Sequence, residues 1–96
     1  MPKAYAVVRV DVHDVDAYDE YKKIAGEAVA EAGGKFLARG GETVIKEGEA
    51  RARTVIVEFP SMEAAKAFYD GEKYQKALSF ALPDASTRDY VITEGV

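Results

Sequence analysis

The run Ala4 to Val12, A-Y-A-V-V-R-V-D-V, alternates with a period of two, and the stretch after it abandons that period for one near 3.6. In the first run Ala6, Val8, Val10 and Val12 share an apolar face, while Tyr5, Val7, Arg9 and Asp11 share a mixed one. That is a strand buried on one side and partly covered on the other. From Asp14 to Ala32 the apolar groups Tyr18, Tyr21, Ala25, Ala28, Val29 and Ala32 recur at steps of three and four, the single buried stripe of a helix. Asp14 is its expected N-cap, since its carboxylate can accept a free first-turn N–H. Gly26 inside the helix costs roughly 1 kcal/mol against alanine and invites a local kink. Gly33-Gly34 stops the helix, where a left-handed residue suits glycine.

The same switch of period occurs again downstream. Lys35 to Lys46 is a second extended run, interrupted at Gly40-Gly41, where a bulge or bend is expected. Glu47 to Ala50 is a turn, and Arg51 to Phe59 a third strand ended by Pro60. Ser61 caps a helix from Met62 to Asp70, Gly71 breaks it, and Tyr74 to Leu82 continues as a further helical piece. Thr87 to Thr93 is the last strand. The order β-α-β-β-α-β over one domain, residues 1–96, predicts an α+β, ferredoxin-like βαββαβ sandwich with both helical layers on one face of a four-stranded antiparallel sheet. Right-handed crossovers set the strand order 4-1-3-2, with the first and third strands adjacent and expected to run parallel.

Helices on one side leave the other sheet face to account for. The expected helix-facing set is Ala6, Val8, Val10, Phe36, Ala38, Val55, Val57 and Phe59. The opposite face then carries Tyr5, Val7, Arg9, Leu37, Arg39, Thr54, Ile56 and Glu58, joined by Tyr90 and Ile92 if the last strand keeps that phase. A face with so much large apolar surface calls for cover, and the economical cover is a homodimer, sheet against sheet, forming a dimeric α/β barrel with a mixed interior.

Composition narrows the function classes. A net charge of −4 argues against nucleic acid or an anionic membrane as partner. Without cysteine, the chain has no thiolate metal site, disulfide or cysteine nucleophile, and His13 alone cannot build a multi-histidine site. No metal and no cofactor are expected. No apolar run approaches the ~20 residues of a membrane span. With no secretory signal ahead of the first strand, a cytoplasmic location is the expectation.

Several stretches carry a family resemblance: D-A-Y-D-E-Y in the first helix, G-G-K-F-L-A-R-G-G, V-E-F-P-S-M-E-A-A-K-A-F-Y, E-K-Y-Q-K-A and the terminal V-I-T-E-G-V. In that order, over almost the whole chain, they resemble the bacterial family known as domain of unknown function 1330, in the dimeric α/β-barrel superfamily. The resemblance implies a ferredoxin-like protomer and a sheet-to-sheet dimer, and it carries no catalytic residues. The chain departs from the family pattern at Val15, where proline is common, and at Ser79 to Leu82, where an arginine is usual. Haem-degrading relatives in the superfamily use a helix-borne histidine, which this chain lacks, so no haem is expected.

The candidate chemistry centres on Arg39 and Glu58. If Gly48-Glu49 forms a two-residue turn, Glu47 faces Ala50, and the same register sets Arg39 directly opposite Glu58, with Arg9 on the neighbouring strand and the same face. A guanidinium there can clamp a carboxylate or polarise a carbonyl, and a desolvated glutamate can act as a general base. The competing reading is a cross-strand ion pair that sets register. His13, titrating near neutrality, is a fourth catalytic candidate, against a solvated loop position among Asp11, Asp14 and Asp16. Tyr5, Tyr18 and Tyr69 are the candidates for a ligand pocket. Tyr18 and Tyr69, with Tyr21 and Tyr74, sit at core-like spacings, where core packing outweighs a pocket between helices and sheet. Function at this level is a small cofactor-independent enzyme or small-molecule binder using the barrel interior, or else a non-catalytic dimeric interaction or metabolite-sensing module.

Overall fold

In the computed structural model, which describes residues 2–96, the changes of period fall close to where the sequence places them. The elements are β1 (Ala4–Val12), α1 (Val15–Glu31), β2 (Lys35–Arg39), β3 (Arg53–Phe59), α2 (Met62–Asp70), α3 (Glu72–Ala81) and β4 (Ser86–Glu94). The sheet order β2-β3-β1-β4 is 4-1-3-2 read from the other edge. The fold is the ferredoxin-like α+β sandwich. One expectation fails: β1 and β3 are adjacent but antiparallel. The crossover through α1 relates β1 to β2, and β3 enters between them in the opposite sense.

Local chemistry explains the helix boundaries. The Ala17 N–H donates to Asp14 Oδ1 at 3.1 Å, and the Ala64 N–H to Ser61 Oγ at 3.1 Å, so both expected N-caps form. At the end of α1 the Gly34 N–H reaches Val29 O at 2.9 Å and the Gly33 N–H reaches Ala30 O at 3.3 Å, with Gly33 at φ +76°. This is the paired closure that needs a left-handed residue.

The register between β2 and β3 differs from the expected one. Lys35 faces Glu58 and Phe36 faces Val57, but then Ala38 faces Ile56 and Arg39 faces Val55. Leu37 is the extra residue of a bulge. The strand stops at Arg39 instead of Lys46, because Gly40 turns the chain at φ +76°. The connection back to β3 is thirteen residues long, Gly40 to Ala52, not a two-residue hairpin turn. Near its end Arg51 bridges Asp11 at 3.1 Å and Asp89 at 2.8 Å, and the Ala52 N–H donates to Asp11 Oδ1. Those contacts hold Arg51 and Ala52 outside β3, which starts at Arg53.

One inserted residue reverses the faces downstream of it. Arg39 lies with Val55 on the helix side, and Ala38, expected there, lies with Ile56 on the open side. Tyr90 pairs with Val8 and Ile92 with Ala6, so both face the helices; Val91 takes the open face instead. The core forms where β1 and β3 meet the helices. Val10, Phe59 and Tyr74 are fully enclosed there, and Phe59, Phe68 and Tyr74 stack in series at 5.0 and 4.7 Å.

Candidate functional site

The strand phase that buries valines also carries arginines into the helix-facing layer. Val10 on β1 faces Arg53 on one side and Arg88 on the other. Arg39 joins them from β2. Cations drawn partly out of water, as half-buried Arg53 and Arg88 are, gain from a charged partner, while Arg39 stays exposed. Yet among the described residues no carboxylate lies within ion-pair distance of Arg39, Arg53 or Arg88; the ion pairs all use other cations.

Arg88 is held by phenols. Its Nη2 donates to Tyr21 Oη at 2.9 Å and to Tyr74 Oη at 3.1 Å, and the two hydroxyls are 2.8 Å apart. The guanidinium also lies 4.7 Å from the Tyr21 ring centre. Proton counting has a consequence here. Both hydroxyl oxygens accept from Arg88, and one hydroxyl donates to the other, so one phenol O–H still has a proton to give. Arg88 Nε and Nη1 and Arg53 Nε are buried without partners. The unspent polar groups of this layer are therefore all donors.

The protonation states agree with that inventory. Burial pushes the Tyr74, Tyr90 and Tyr18 hydroxyls above the ordinary tyrosine range, with Tyr21 adding to the rise in each case. They stay neutral phenols around neutrality. Burial works against the Arg88 charge, but its pKa stays above the ordinary arginine value and the Tyr21 hydroxyl accepts from it, so the guanidinium stays protonated.

A cavity of about 40 Å³ opens between α1 and the sheet; on the same measure one water needs about 10–15 Å³. Tyr18, Lys22 and Gly26 form its helix wall, and Phe36, Arg39 and Arg53 its sheet wall. Arg88 stands behind Tyr21 and Tyr74, which do line it. Two glycines make room for the two wall arginines. A Cβ on Gly26 would sit 3.1 Å from Arg39 Nη2, and one on Gly40 only 2.1 Å from Arg53 Nη1. Arg39 also stacks on Phe36, its guanidinium carbon 4.1 Å from the ring centre. Aspartate, glutamate and histidine are missing from the lining, so the cavity offers donors and cations but no carboxylate or imidazole base.

The sequence-derived candidates separate into two groups. Arg39 and Tyr18 line the cavity. Glu58 lies on the opposite face, beside Tyr5 and Lys35, with Lys3 Nζ at 3.1 Å. The expected Arg39–Glu58 pair therefore does not exist: the register sets Lys35 opposite Glu58, and the Leu37 bulge turns Arg39 to the other side of the sheet. Arg9 is exposed on the open face, opposite Thr54 and Asp89. His13 is exposed, its Nε2 2.7 Å from Thr87 Oγ1. Tyr69 stacks on Tyr74 and Tyr90, at 5.2 and 4.9 Å, outside the cavity lining. Among the described residues no group of three or more histidine and acidic side chains is placed to hold a metal ion, and no helix is long and apolar enough to cross a membrane.

Sequence reasoning missed Arg53, Arg88, Lys22 and Tyr90, and it weighted Tyr21 and Tyr74 toward core packing over a pocket. The signal was the phase. Val55, Val57 and Phe59 project back to Arg53, and Ile92 and Tyr90 project back to Arg88.

Among solved structures, the chain is similar to the RPA0582 protein of unknown function from Rhodopseudomonas palustris, with a TM-score of 0.79 at 17% identity, covering 99% of this chain and 83% of that one. It is similar to a dimeric ferredoxin-like protein of unknown function from Jannaschia sp. CCS1, with a TM-score of 0.67 at 16% identity, covering 93% and 97%. A more distant likeness is to SnoaB, a cofactor-independent oxygenase from Streptomyces nogalater, with a TM-score of 0.53 at 14% identity, covering 96% and 91%. No curated protein sequence matches. Likeness at these identities speaks to the fold alone, whereas one family model matches residues 3–96. The chain belongs to the family described as Domain of unknown function (DUF1330).

Proposed function

We propose that this protein binds a small organic anion in the cavity between α1 and the sheet, and that it does so as a homodimer. The observation that carries the reading is the pair of guanidiniums in the cavity wall, Arg39 and Arg53, with no carboxylate partner among the described residues, Arg53 holding a buried Nε donor that nothing accepts from. Buried donors are normally satisfied, and unsatisfied ones at a concave surface mark a place where a ligand completes the bonding. Native mass spectrometry of gently purified protein tests it. A retained anionic molecule is the expected result, and a bare chain that also ignores every added organic anion refutes it.

A binding role fits the cavity better than an enzymatic one. A cofactor-independent enzyme in the manner of SnoaB would use the guanidiniums and the free phenol O–H to stabilise an oxyanion. It would also need a base, and the lining supplies no carboxylate or imidazole for that role.

The homodimer rests on the open sheet face. Val7 and Ile56 sit at its centre, and Leu37 and Val91 are 49% and 56% exposed in the isolated chain. The Jannaschia neighbour is described as dimeric. Ile56→Lys puts an ammonium at the centre of that face and should yield monomers in sedimentation velocity. Wild-type protein sedimenting as a monomer at micromolar concentration would refute the dimer. Arg9, Glu58 and Tyr5 would then line the interior between the two sheets. A bacterial cytoplasmic protein is the setting this reading assumes.

A further inference from the structure

We infer that the anion is a short monocarboxylate with an apolar, flat or branched body, its head at Arg39 and Arg53 and its body against the inner wall. The inference rests on the binding proposal above and adds the ligand's class and orientation.

The first argument is the distribution of polarity. Lys22, Arg39 and Arg53 are half-buried or exposed, so the cationic groups stand where the cavity meets solvent. Val8, Val29, Val57 and Phe68 are buried and line the same cavity. Charge at the rim with apolar surface within suits an amphipathic molecule, not an inorganic ion.

The second argument is the kind of donor. The α1 wall runs from Tyr18 to Val29, beyond the capped first turn, and the Tyr18 N–H is already bonded to Asp14 O. The N–H groups of that wall are thus spent within the helix. Phosphate sites commonly draw on free backbone N–H groups at a helix start. Here recognition falls to guanidinium side chains, whose planar fork matches a carboxylate. Arg39 is laid flat between the Phe36 ring and Gly26, and Arg53 is laid over Gly40.

The third argument is size and charge. Space for about three waters admits a short chain or part of one ring. The single phenol O–H left over from the Tyr21–Tyr74 pair can donate to one acceptor oxygen on the body, so hydroxy- or keto-substituted acids gain a contact there.

The test is calorimetric titration of the whole protein with benzoate, isobutyrate, benzamide and inorganic phosphate, with the Tyr18 and Phe36 ring signals followed by NMR. Saturable binding of benzoate or isobutyrate, one per chain, with both rings perturbed, is expected; benzamide and phosphate should bind at least about tenfold more weakly, the worth of a charge-assisted hydrogen bond. Arg53→Gln should weaken the carboxylate by a similar factor. Arg39→Gln, at an exposed residue whose side chain makes no hydrogen bond among the described residues, should also weaken it and serves if Arg53→Gln does not fold. Phosphate binding as tightly as the carboxylates, and lost in Arg53→Gln, overturns the carboxylate inference while leaving anion binding intact. Benzamide binding as well as benzoate overturns the role of the charged head. No response to any of the four overturns the monocarboxylate inference, while the binding proposal itself falls only if native mass spectrometry also shows a bare chain.

Discussion

Arg53→Met should make the protein more stable, and the reason lies in what Arg53 does not do. Its Nε is buried with no acceptor, it makes no ion pair among the described residues, and its Nη1 is pressed over the backbone of Gly40. A buried donor left unmade costs about 1–3 kcal/mol. Arg53 is only half-buried and part of its head reaches water, so the lower end of that range applies. Methionine keeps an unbranched stem of similar length in the gap between α1 and the sheet and carries no donor. A net gain of about 1 kcal/mol corresponds to a rise in Tm of roughly 4–8 °C for a domain of this size. Thermal and urea unfolding measure it, with an unchanged m-value showing that the folded and unfolded states keep their exposed areas. The same variant should lose anion binding. Gain in stability with loss of binding is the signature of a group kept for a ligand. If Arg53→Met instead lowers Tm by several degrees, Arg53 is a structural residue, and the argument from unpaired donors fails with it.

Gly33→Ala and Gly40→Ala place the same side chain at the same φ of +76°, but the first meets nothing within 4 Å and the second meets Arg53. Both should lose about 1–2 kcal/mol in urea titrations for the left-handed backbone, and only Gly40→Ala should also weaken carboxylate binding, by displacing the guanidinium; equal binding in the two variants would show that Arg53 does not need that space. The third prediction concerns acid. The Ala52 N–H, and then the Arg51 guanidinium, hold the Asp11 carboxyl below its ordinary value. A depressed carboxyl contributes stability above its unfolded range and loses it as pH falls through the folded value. The urea midpoint of Asp11→Asn should therefore lie below that of the wild type at pH 7 and converge with it below about pH 4; a gap that persists in acid would mean that the loss at pH 7 is not electrostatic.

What could be read from the sequence was whatever depended on near neighbours. Asp14 and Ser61 cap their helices because a cap reaches only three residues ahead. The β1 alternation needed no partner to be interpreted, and Tyr18, Tyr21, Ala25, Ala28 and Val29 are the buried stripe of α1, as their spacing predicts. The order of strands followed from the order of elements once crossover handedness was applied. The sense of β1 against β3 was also implied by an antiparallel sheet, and there the strand-sense reading was inconsistent with its own topology.

The β2–β3 register lay out of reach for a different reason. It depends on one inserted residue, Leu37, and on a connection from Gly40 to Ala52 whose course is set by contacts to other strands: Arg51 to Asp11 and Asp89, Ala52 to Asp11. Because side chains alternate strictly, that one residue moved Arg39 from the open face, where it was expected beside Glu58, to the wall of a different cavity. The bulge thus decides which face Arg39 joins: without it Arg39 would lie opposite Thr54 on the open face, and with it Arg39 joins Arg53 in a cationic wall. The sequence R-G-G at residues 39–41 then has a physical reading that no local rule supplies. Its arginine needs Gly26 on α1 in order to lie flat, and its first glycine is small so that Arg53, entering from the far end of the connection, can lie over it. A stretch of three residues is read correctly only together with two residues that the fold, not the chain, brings beside it.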